Sequence, residues 1–221
     1  MNSLNRRIRV IVVTCAATLS LSLACATVLP TGDSSPARPI VVAIQPYGTF
    51  DARLLEEVRL GLASQYEVEI VALPARPLPA AALYKPRQRF RATVLLEDLE
   101  NVTDGRYAKV MGVTASDISV TKGEIYDWGI FGLGSVGGRP CVVSSFRLGH
   151  GKARPALRHE RLRKVAIHEL GHTFGLPHCP TEGCVMRDAE GTIAEVDRES
   201  EALCPNCRTS VTGVVGLKAP G

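Results

Sequence analysis

The stretch from His168 to Cys179 constrains this chain most, because it holds three histidines at the spacing of metal ligands. His168 and His172 are four residues apart, so their side chains lie on one face of a helix and can reach the same ion. Their imidazoles suit zinc at about 2.0–2.1 Å. Glu169 flanks such an ion without ligating it, where a base can take a proton from water.

The residues after His172 predict that a third histidine joins the same ion. Gly175 can adopt a positive φ, which ends a helix and lets the chain reverse direction. Pro177 then discourages a return to helix. His178 can therefore approach from outside the helix and complete three protein ligands. Three ligands leave a fourth position for water, which is the arrangement of a catalytic rather than a structural zinc.

Four cysteines form a second candidate metal site in two short loops, Cys179 with Cys184 and Cys204 with Cys207. Four thiolates can close a tetrahedral zinc site, and the paired spacing is typical of a zinc ribbon or knuckle. Two disulfides are the alternative, because the N-terminus suggests export to an oxidising compartment. We favour the metal, which would tie the segment after His178 to the C-terminal part of the chain.

These motifs together resemble the signature of the archaemetzincins, HExxHxxGxxHC, then four residues, Cys-x-Met, seventeen residues and CxxC. Every fixed position and spacer is present from His168 to Cys207. The resemblance implies a metzincin-like zinc peptidase with one catalytic and one structural zinc. It implies a single α/β (α+β) domain in which a mixed twisted sheet carries an active-site helix and a zinc-bearing C-terminal part. It also implies that Met186 forms an apolar floor beneath the histidines.

The predicted reaction is the hydrolysis of a peptide bond. Zinc would lower the pKa of a bound water, and Glu169 would accept its proton and return it to the leaving amine. The family likeness implies that the strand near Val142 to Phe146 pairs antiparallel with an extended peptide. The alternative is a zinc-stabilised protein that binds peptides or a partner with little or no turnover. The intact Glu169 argues against it, since binding alone needs no acid there.

The first residues of the chain resemble a targeting segment. Arg6, Arg7 and Arg9 precede an apolar run over 10–24 that is too short for a comfortable membrane span. A small-residue cleavage site surrounds Cys25, which also follows Leu23-Ala24 as a lipidated cysteine does; an uncleaved anchor is a further alternative. We predict a signal peptide over 1–26, a flexible tether over 27–38, the peptidase domain over 39–212 and a frayed tail over 213–221.

The charge of the chain is mild, at +4. Its densest basic stretch comprises Lys152, Arg154, Arg158, Arg161, Arg163 and Lys164. We interpret this stretch as the solvated side of the helix that leads into the metal site, because no aromatic residues alternate with it to stack on bases. We therefore expect a peptide or protein substrate, no nucleic acid, a monomer, and an extracytoplasmic location with a membrane tether if Cys25 is lipidated.

Hydrophobic periodicity predicts a βαβ unit with parallel strands over 39–44 and 66–73 and a helix over 51–64. Beyond it we predict a proline-rich loop over 74–86, a helix over 87–100 and a strand over 107–113. Extended runs over 124–133 and 140–148 flank a glycine-rich turn and predict a hairpin or edge strand. The metal helix is predicted over 157–174.

Overall fold

The computed structural model describes residues 39–149 and 154–219, so the predicted signal peptide and tether lie outside the described residues. The described strands are β1 (Ile40–Tyr47), β2 (Tyr66–Ala72), β3 (Leu83–Tyr84), β4 (Arg89–Arg91), β5 (Lys109–Thr114), β6 (Ile118–Lys122), β7 (Ile125–Ile130), β8 (Gly132–Gly134), β9 (Pro140–Ser144) and β10 (Gly216–Leu217). The α-helices are α1 (Ala52–Gln65), α2 (Ala92–Thr103), α3 (Pro155–Thr173), α4 (Ile193–Arg198) and α5 (Pro205–Val211).

The predicted βαβ unit is confirmed at the start of the domain. Asp51 caps α1, where its Oδ1 accepts a hydrogen bond of 2.7 Å from the backbone N–H of Arg53. Strands β1 and β2 are parallel, with Ile40 opposite Val68 and Ile44 opposite Ala72. The β-branched and apolar residues of both strands suit a sheet that is covered on its two faces.

Six strands form the main sheet in the order β10-β2-β1-β5-β9-β8. Strands β2, β1, β5 and β9 run parallel to one another. The two edge strands, β10 and β8, are antiparallel to their neighbours. Side chains alternate across this sheet: Val42 and Met111 join the core with α1 and α3, and Ala43 and Val110 pack with Leu99 of α2 on the other face. The metal helix α3 therefore lies on a fully packed sheet face.

The region between residues 74 and 122 differs most from the sequence-based expectation. Helix α2 begins at Ala92 rather than at 87, because β4 pairs with β3 and β6 in a second sheet of four strands, β3-β4-β6-β7. The arginines of β4 bind polar groups of its neighbours: Arg89 contacts Asp117 at 2.7 Å and Arg91 contacts Thr121 at 2.8 Å. This strand therefore lacks the apolar alternation by which strands are recognised.

The C-terminal end also differs from the frayed tail expected over 213–221. Val215 is buried, and Gly216 and Leu217 pair antiparallel with β2. The backbone N–H of Lys218 donates to the carbonyl of Gln65 at 3.0 Å. The open edge of β2 supplies unpaired backbone groups, and the short C-terminal strand satisfies them.

Two basic residues of α3 are buried rather than solvated, which corrects part of the interpretation of the basic stretch. Arg161 is 4% exposed, and its Nε and Nη2 each lie 2.7 Å from a carboxylate oxygen of Asp197. Lys164 is also 4% exposed, and its Nζ contacts Glu160 at 2.6 Å and the carbonyl of Val196 at 3.2 Å. These bonds hold α4 against the metal helix and offset the desolvation of both charges.

Within the described ranges, the helices are too short or too polar to cross a membrane.

Candidate metal centre

The turn after α3 brings the three histidines together. The helix ends at Thr173, and Gly175 adopts a φ of +95°, as predicted for a chain reversal. The reversed backbone returns to the helix at once, where the N–H of Leu176 donates to the carbonyl of Gly171 at 3.1 Å. His178 follows two residues later, and its ligand atom lies within 4.8 Å of those of the two helical histidines.

Backbone carbonyls orient the two helical imidazoles. Nδ1 of His168 lies 2.7 Å from the carbonyl oxygen of Val185, and Nδ1 of His172 lies 2.7 Å from that of Leu176. A carbonyl only accepts, so each Nδ1 carries the proton and each Nε2 keeps its lone pair. The two Nε2 atoms are 3.0 Å apart, near the separation of about 3.3 Å for two nitrogens on one tetrahedral zinc.

The surroundings keep these imidazoles neutral, which is the form that binds metal. Burial, together with a smaller effect of the neighbouring His172, lowers the pKa of His168 to about 3. Burial also lowers the pKa of His172. His178 is half exposed, and its Nδ1 lies 3.4 Å from Oδ2 of Asp188. A carboxylate in that position orients an imidazole ligand.

Glu169 is buried beside the histidines. Burial raises the pKa of Glu169 to about 8, although a hydrogen bond from the backbone N–H of Gly134 acts in the opposite direction. A carboxyl with a pKa near neutrality can both accept and return a proton at neutral pH. The geometry and the acidity of this group therefore suit proton transfer.

Strand β8 packs closely on the metal helix and requires glycine. A Cβ atom on Gly132 would lie 2.5 Å from Cγ and Oε1 of Glu169. A Cβ atom on Gly134 would lie 2.6 Å from the carbonyl oxygen of Glu169 and 2.8 Å from Cβ of His172. The glycine-rich segment, which the sequence suggested was only a turn, therefore lets a strand backbone reach the metal helix.

Met186 lies against the same helix. It is fully buried, and a Cβ atom on Gly171 would lie 2.5 Å from its Sδ. Gly171 immediately precedes His172, so the methionine packs on the same turn of the helix; its role as an apolar floor beneath the histidines stays a prediction. The backbone around Met186 also reaches both clusters, since its carbonyl accepts from the N–H of Cys179 at 2.9 Å.

The four cysteines form a compact group of free thiols. The Sγ atoms of Cys179 and Cys204 are 3.8 Å apart, and those of Cys184 and Cys207 are 3.7 Å apart. Sulfurs bound to one tetrahedral zinc at about 2.3 Å are about 3.8 Å apart, whereas a disulfide bond measures about 2.03–2.05 Å. Although burial raises the pKa of Cys204, hydrogen bonds from the N–H of Cys207 and from neighbouring thiols lower it to about 7.

A cavity of about 520 Å³ opens beside the histidines. It lies between strands β6 to β8 on one side and the segment that follows Pro177, with α4, on the other. Its lining includes Val120, Trp128, Ile130, Leu133, Val165, Val185, Ala189 and Val196 together with the three histidines and Glu169. The candidate ligands and the buried carboxyl thus face a space that is large enough for substrate side chains.

The predicted substrate strand is wrong in one respect. Strand β9, which contains Val142, is an interior strand, because β5 and β8 occupy its two edges. Its backbone groups are therefore already paired. The free edge of the sheet belongs to β8, whose Gly132 and Gly134 also line the cavity. The short, glycine-rich β8 lacks the alternating side chains that would identify it as a strand from sequence.

Sequence reasoning missed several residues that shape this site. Asp188 contacts the imidazole of His178, and the carbonyl oxygen of Val185 contacts that of His168. Both groups orient a candidate metal ligand without belonging to the histidine cluster. A carboxylate two residues after Met186 was the available signal for Asp188, since histidine ligands commonly carry such a partner. The carbonyl contact had no signal, because every residue has a carbonyl.

Known proteins share this fold and these sequence features. The sequence profile of Peptidase family M54 matches residues 53–212. The archaemetzincin of Halobacterium salinarum (strain ATCC 29341 / DSM 671 / R1) is 32% identical over 177 residues, which cover 77% of this chain and 98% of that protein. This chain belongs to peptidase family M54. The predicted family is thereby confirmed, and the chain is a zinc metallopeptidase, a hydrolase of peptide or protein substrates.

Two crystal structures of M54 archaemetzincins are similar in fold. That of Methanopyrus kandleri is 30% identical, has a TM-score of 0.70 and covers 81% of this chain and 97% of its own. That of Archaeoglobus fulgidus, complexed with malonate, is 30% identical, has a TM-score of 0.66 and covers 77% of this chain and 99% of its own. The predicted single domain with a mixed sheet is thereby confirmed.

Because β8 lies so close to the metal helix, we expect a larger side chain at Gly134 to destabilise the domain. Gly134→Ala should lower the free energy of unfolding by about 1–3 kcal/mol, because the added Cβ meets a backbone oxygen that cannot turn away. Gly149→Ala is the control, since among the described residues its Cβ would meet the side chain of Arg158 alone, at an ordinary contact distance of 3.9 Å. Chemical denaturation of both variants measures the difference. Equal stability of the two would contradict the role of this contact.

Proposed function

We propose that this chain hydrolyses peptide bonds with a zinc ion held by His168, His172 and His178 and with Glu169 as the general base. The observation that carries the proposal is the convergence of three ring nitrogens within 4.8 Å, next to a buried carboxyl on the wall of one cavity. Two imidazoles present unprotonated Nε2 atoms, and three nitrogen donors with an open fourth position suit catalytic zinc. When bound, zinc supplies a Lewis acid that acidifies water and polarises a carbonyl oxygen.

Each residue of the chain has a distinct part in this reaction. Glu169 takes a proton from the attacking water at its carboxylate and returns it to the leaving amine. The backbone N–H of Gly134 lies near this carboxylate and favours its charged form. The carbonyls of Val185 and Leu176 fix the planes of the helical imidazoles, and the wall of the cavity excludes bulk water.

The edge of β8 is our proposed docking line for the substrate backbone. Phe131 and Ser135 bond to β9 on one side of the strand. By the alternation of an antiparallel ladder, the backbone groups of Gly132 and Gly134 point away from β9. An extended peptide can pair with the outward groups that remain free of Glu169, and strand addition of this kind supplies affinity without depending on sequence.

The four-cysteine group is proposed to hold a second, structural zinc. Its sulfur separations of 3.7 and 3.8 Å suit one tetrahedral ion. Cys179 directly follows His178, so a closed site here would restrict the third histidine without contact to substrate. Four protein ligands leave no open position, which separates this role from that of the histidine cluster.

The location and assembly of the chain are further proposals. The basic and apolar pattern of residues 6–24 supports export, with membrane attachment if Cys25 is lipidated. Burial of Arg161 and Lys164 supports the view that the basic stretch is not a nucleic-acid surface. We propose a monomer that acts outside the cytoplasm. Cell fractionation and sedimentation of the full chain test this: a cytosolic protein or a stable dimer would contradict it.

Replacement of the proposed base should separate metal binding from turnover. We expect Glu169→Gln to retain zinc and to lose about 10²–10⁴-fold in kcat/KM, because an amide cannot accept the proton. Cleavage of a peptide library, with a chelated control, and metal analysis provide the two measurements. Glu97→Gln, an exposed change on α2, is the matched control. Full activity of the Glu169→Gln protein would exclude this base, and a parent protein that bound peptides without cleaving them would support the binding-protein alternative.

Replacement of one cysteine should show whether the thiol group holds metal. Cys204→Ser should reduce the zinc content by one ion per chain and lower the thermal stability, since three thiolates bind zinc less tightly. Cys141→Ser is the control, because Cys141 is a buried free thiol outside the group. An unchanged zinc content in Cys204→Ser would contradict the structural site.

A further inference from the structure

Glu199 is a buried carboxylate with one oxygen that lacks a partner. It follows the end of α4, is 9% exposed and lines the cavity beside the histidines. Its Oε1 lies 3.5 Å from Nε of Arg187. Its Oε2 is buried and has no hydrogen-bond partner among the described residues. A buried acceptor in this state costs free energy unless a ligand supplies a donor.

The other charged side chains of the cavity are better paired or better solvated. Lys164 is held by Glu160 and a backbone carbonyl, and Glu195 forms an ion pair with Arg198. The remaining charged residues that line the cavity besides Glu169 and Glu199 are Lys122, Arg187 and Asp188, which are partly or largely exposed. Among the charged residues that line the cavity, Glu199 is therefore buried, has no part in the proposed reaction and has a carboxylate oxygen without a hydrogen-bond partner in the described part of the chain.

The walls near Glu199 are apolar. Val165, Val185, Ala189 and Val196 line the same cavity, as does Trp128, whose indole lies against Gly191. An apolar channel with a carboxylate in its wall suits a side chain that has a methylene stem and a cationic end. The stem contacts the apolar wall while the ammonium or guanidinium donates N–H groups to the carboxylate.

We propose that Glu199 makes this peptidase select substrates with a lysine or arginine side chain in the cavity beside the histidines. The inference rests on the proposed function, because it assigns the cavity to a substrate side chain. Oε2 is shielded from solvent in the observed conformation, so the carboxylate has to turn about its last side-chain bond to present this oxygen to a cation in the cavity. A cationic side chain then supplies the missing donor, whereas a leucine leaves the oxygen unsatisfied and a glutamate opposes its charge. Among the described residues, Oε1 forms only an ion pair with Arg187, at 3.5 Å, so this turn of the carboxylate breaks no short contact.

The selectivity is tested with blocked hexa-alanine peptides that carry one arginine, lysine, leucine or glutamate at each position in turn. At the position that enters the cavity, arginine or lysine should exceed leucine by about 10- to 100-fold in kcat/KM. Glu199→Gln should bring this ratio close to one, and Glu199→Asp should retain part of it. Glu182→Gln is the matched control: Glu182 also lies near Arg187, at 3.8 Å, but its side chain is 93% exposed and lies outside the cavity.

A binding measurement keeps this inference separate from the proposed function. Trp128 is the only tryptophan of the chain and lines the cavity, so its fluorescence reports occupancy. Titration of the zinc-loaded Glu169→Gln protein with the same peptides should show tighter binding of the arginine and lysine peptides. The double variant that also carries Glu199→Gln should lose this preference. This result would support the inference even if no peptide were cleaved.

Two results would overturn the inference. Tightest binding of the glutamate peptide would show that Arg187 and Lys164 decide the selectivity, and equal binding of all four peptides would show that no charge is recognised. If Glu199→Gln failed to fold, the ranking by the parent protein and by Glu199→Asp would still distinguish these cases.

Discussion

The orientation of the histidines depends on the backbone that follows their own helix. The carbonyl of Val185 fixes His168, and that of Leu176 fixes His172. Val185 lies between Cys184 and Met186, so the segment that orients the first histidine also carries a thiol of the second cluster. The N–H of Cys179 closes this loop on the carbonyl of Met186. The two clusters are therefore parts of one structure, and neither can form its observed geometry while the loop is disordered.

This arrangement explains why a helix with so many polar residues can be buried. Arg161 and Lys164 have carboxylates and carbonyls that offset their desolvation. His172 has a carbonyl on one nitrogen and faces the other histidines with its second. Glu169 has a backbone N–H but no cationic partner within salt-bridge distance among the described residues. Glu169 thus lacks a cationic partner at the place where substrate is proposed to bind, and functional sites are where proteins retain unfavourable local arrangements.

The features that could be predicted from the sequence are those set by the spacing of residues that are close along the chain. The positions of His168, His172 and His178 relative to Gly175 specify a helix, a reversal and a common face, and the structure brings those residues together. The position of β8 at the edge of the sheet could not be predicted, since it depends on which distant strands take the two sides of β9. The strand at Arg89 was missed for a similar reason: its side chains bind Asp117 and Thr121, which only the fold brings near. Burial of Arg161 likewise depends on Asp197, 36 residues away.

The two buried carboxyls of the cavity differ in what surrounds them, and this difference divides their roles. Glu169 borders the cavity next to the histidines and is packed on its other side against the backbone of β8. Glu199 follows α4 and lines the cavity together with Val196 and Val185, with Arg187 as its ion-pair partner. A carboxyl that is tightly enclosed beside the ligands suits the transfer of a proton, which needs little space. A carboxyl in an open apolar wall suits the recognition of a long side chain, which needs both volume and a charge at its end.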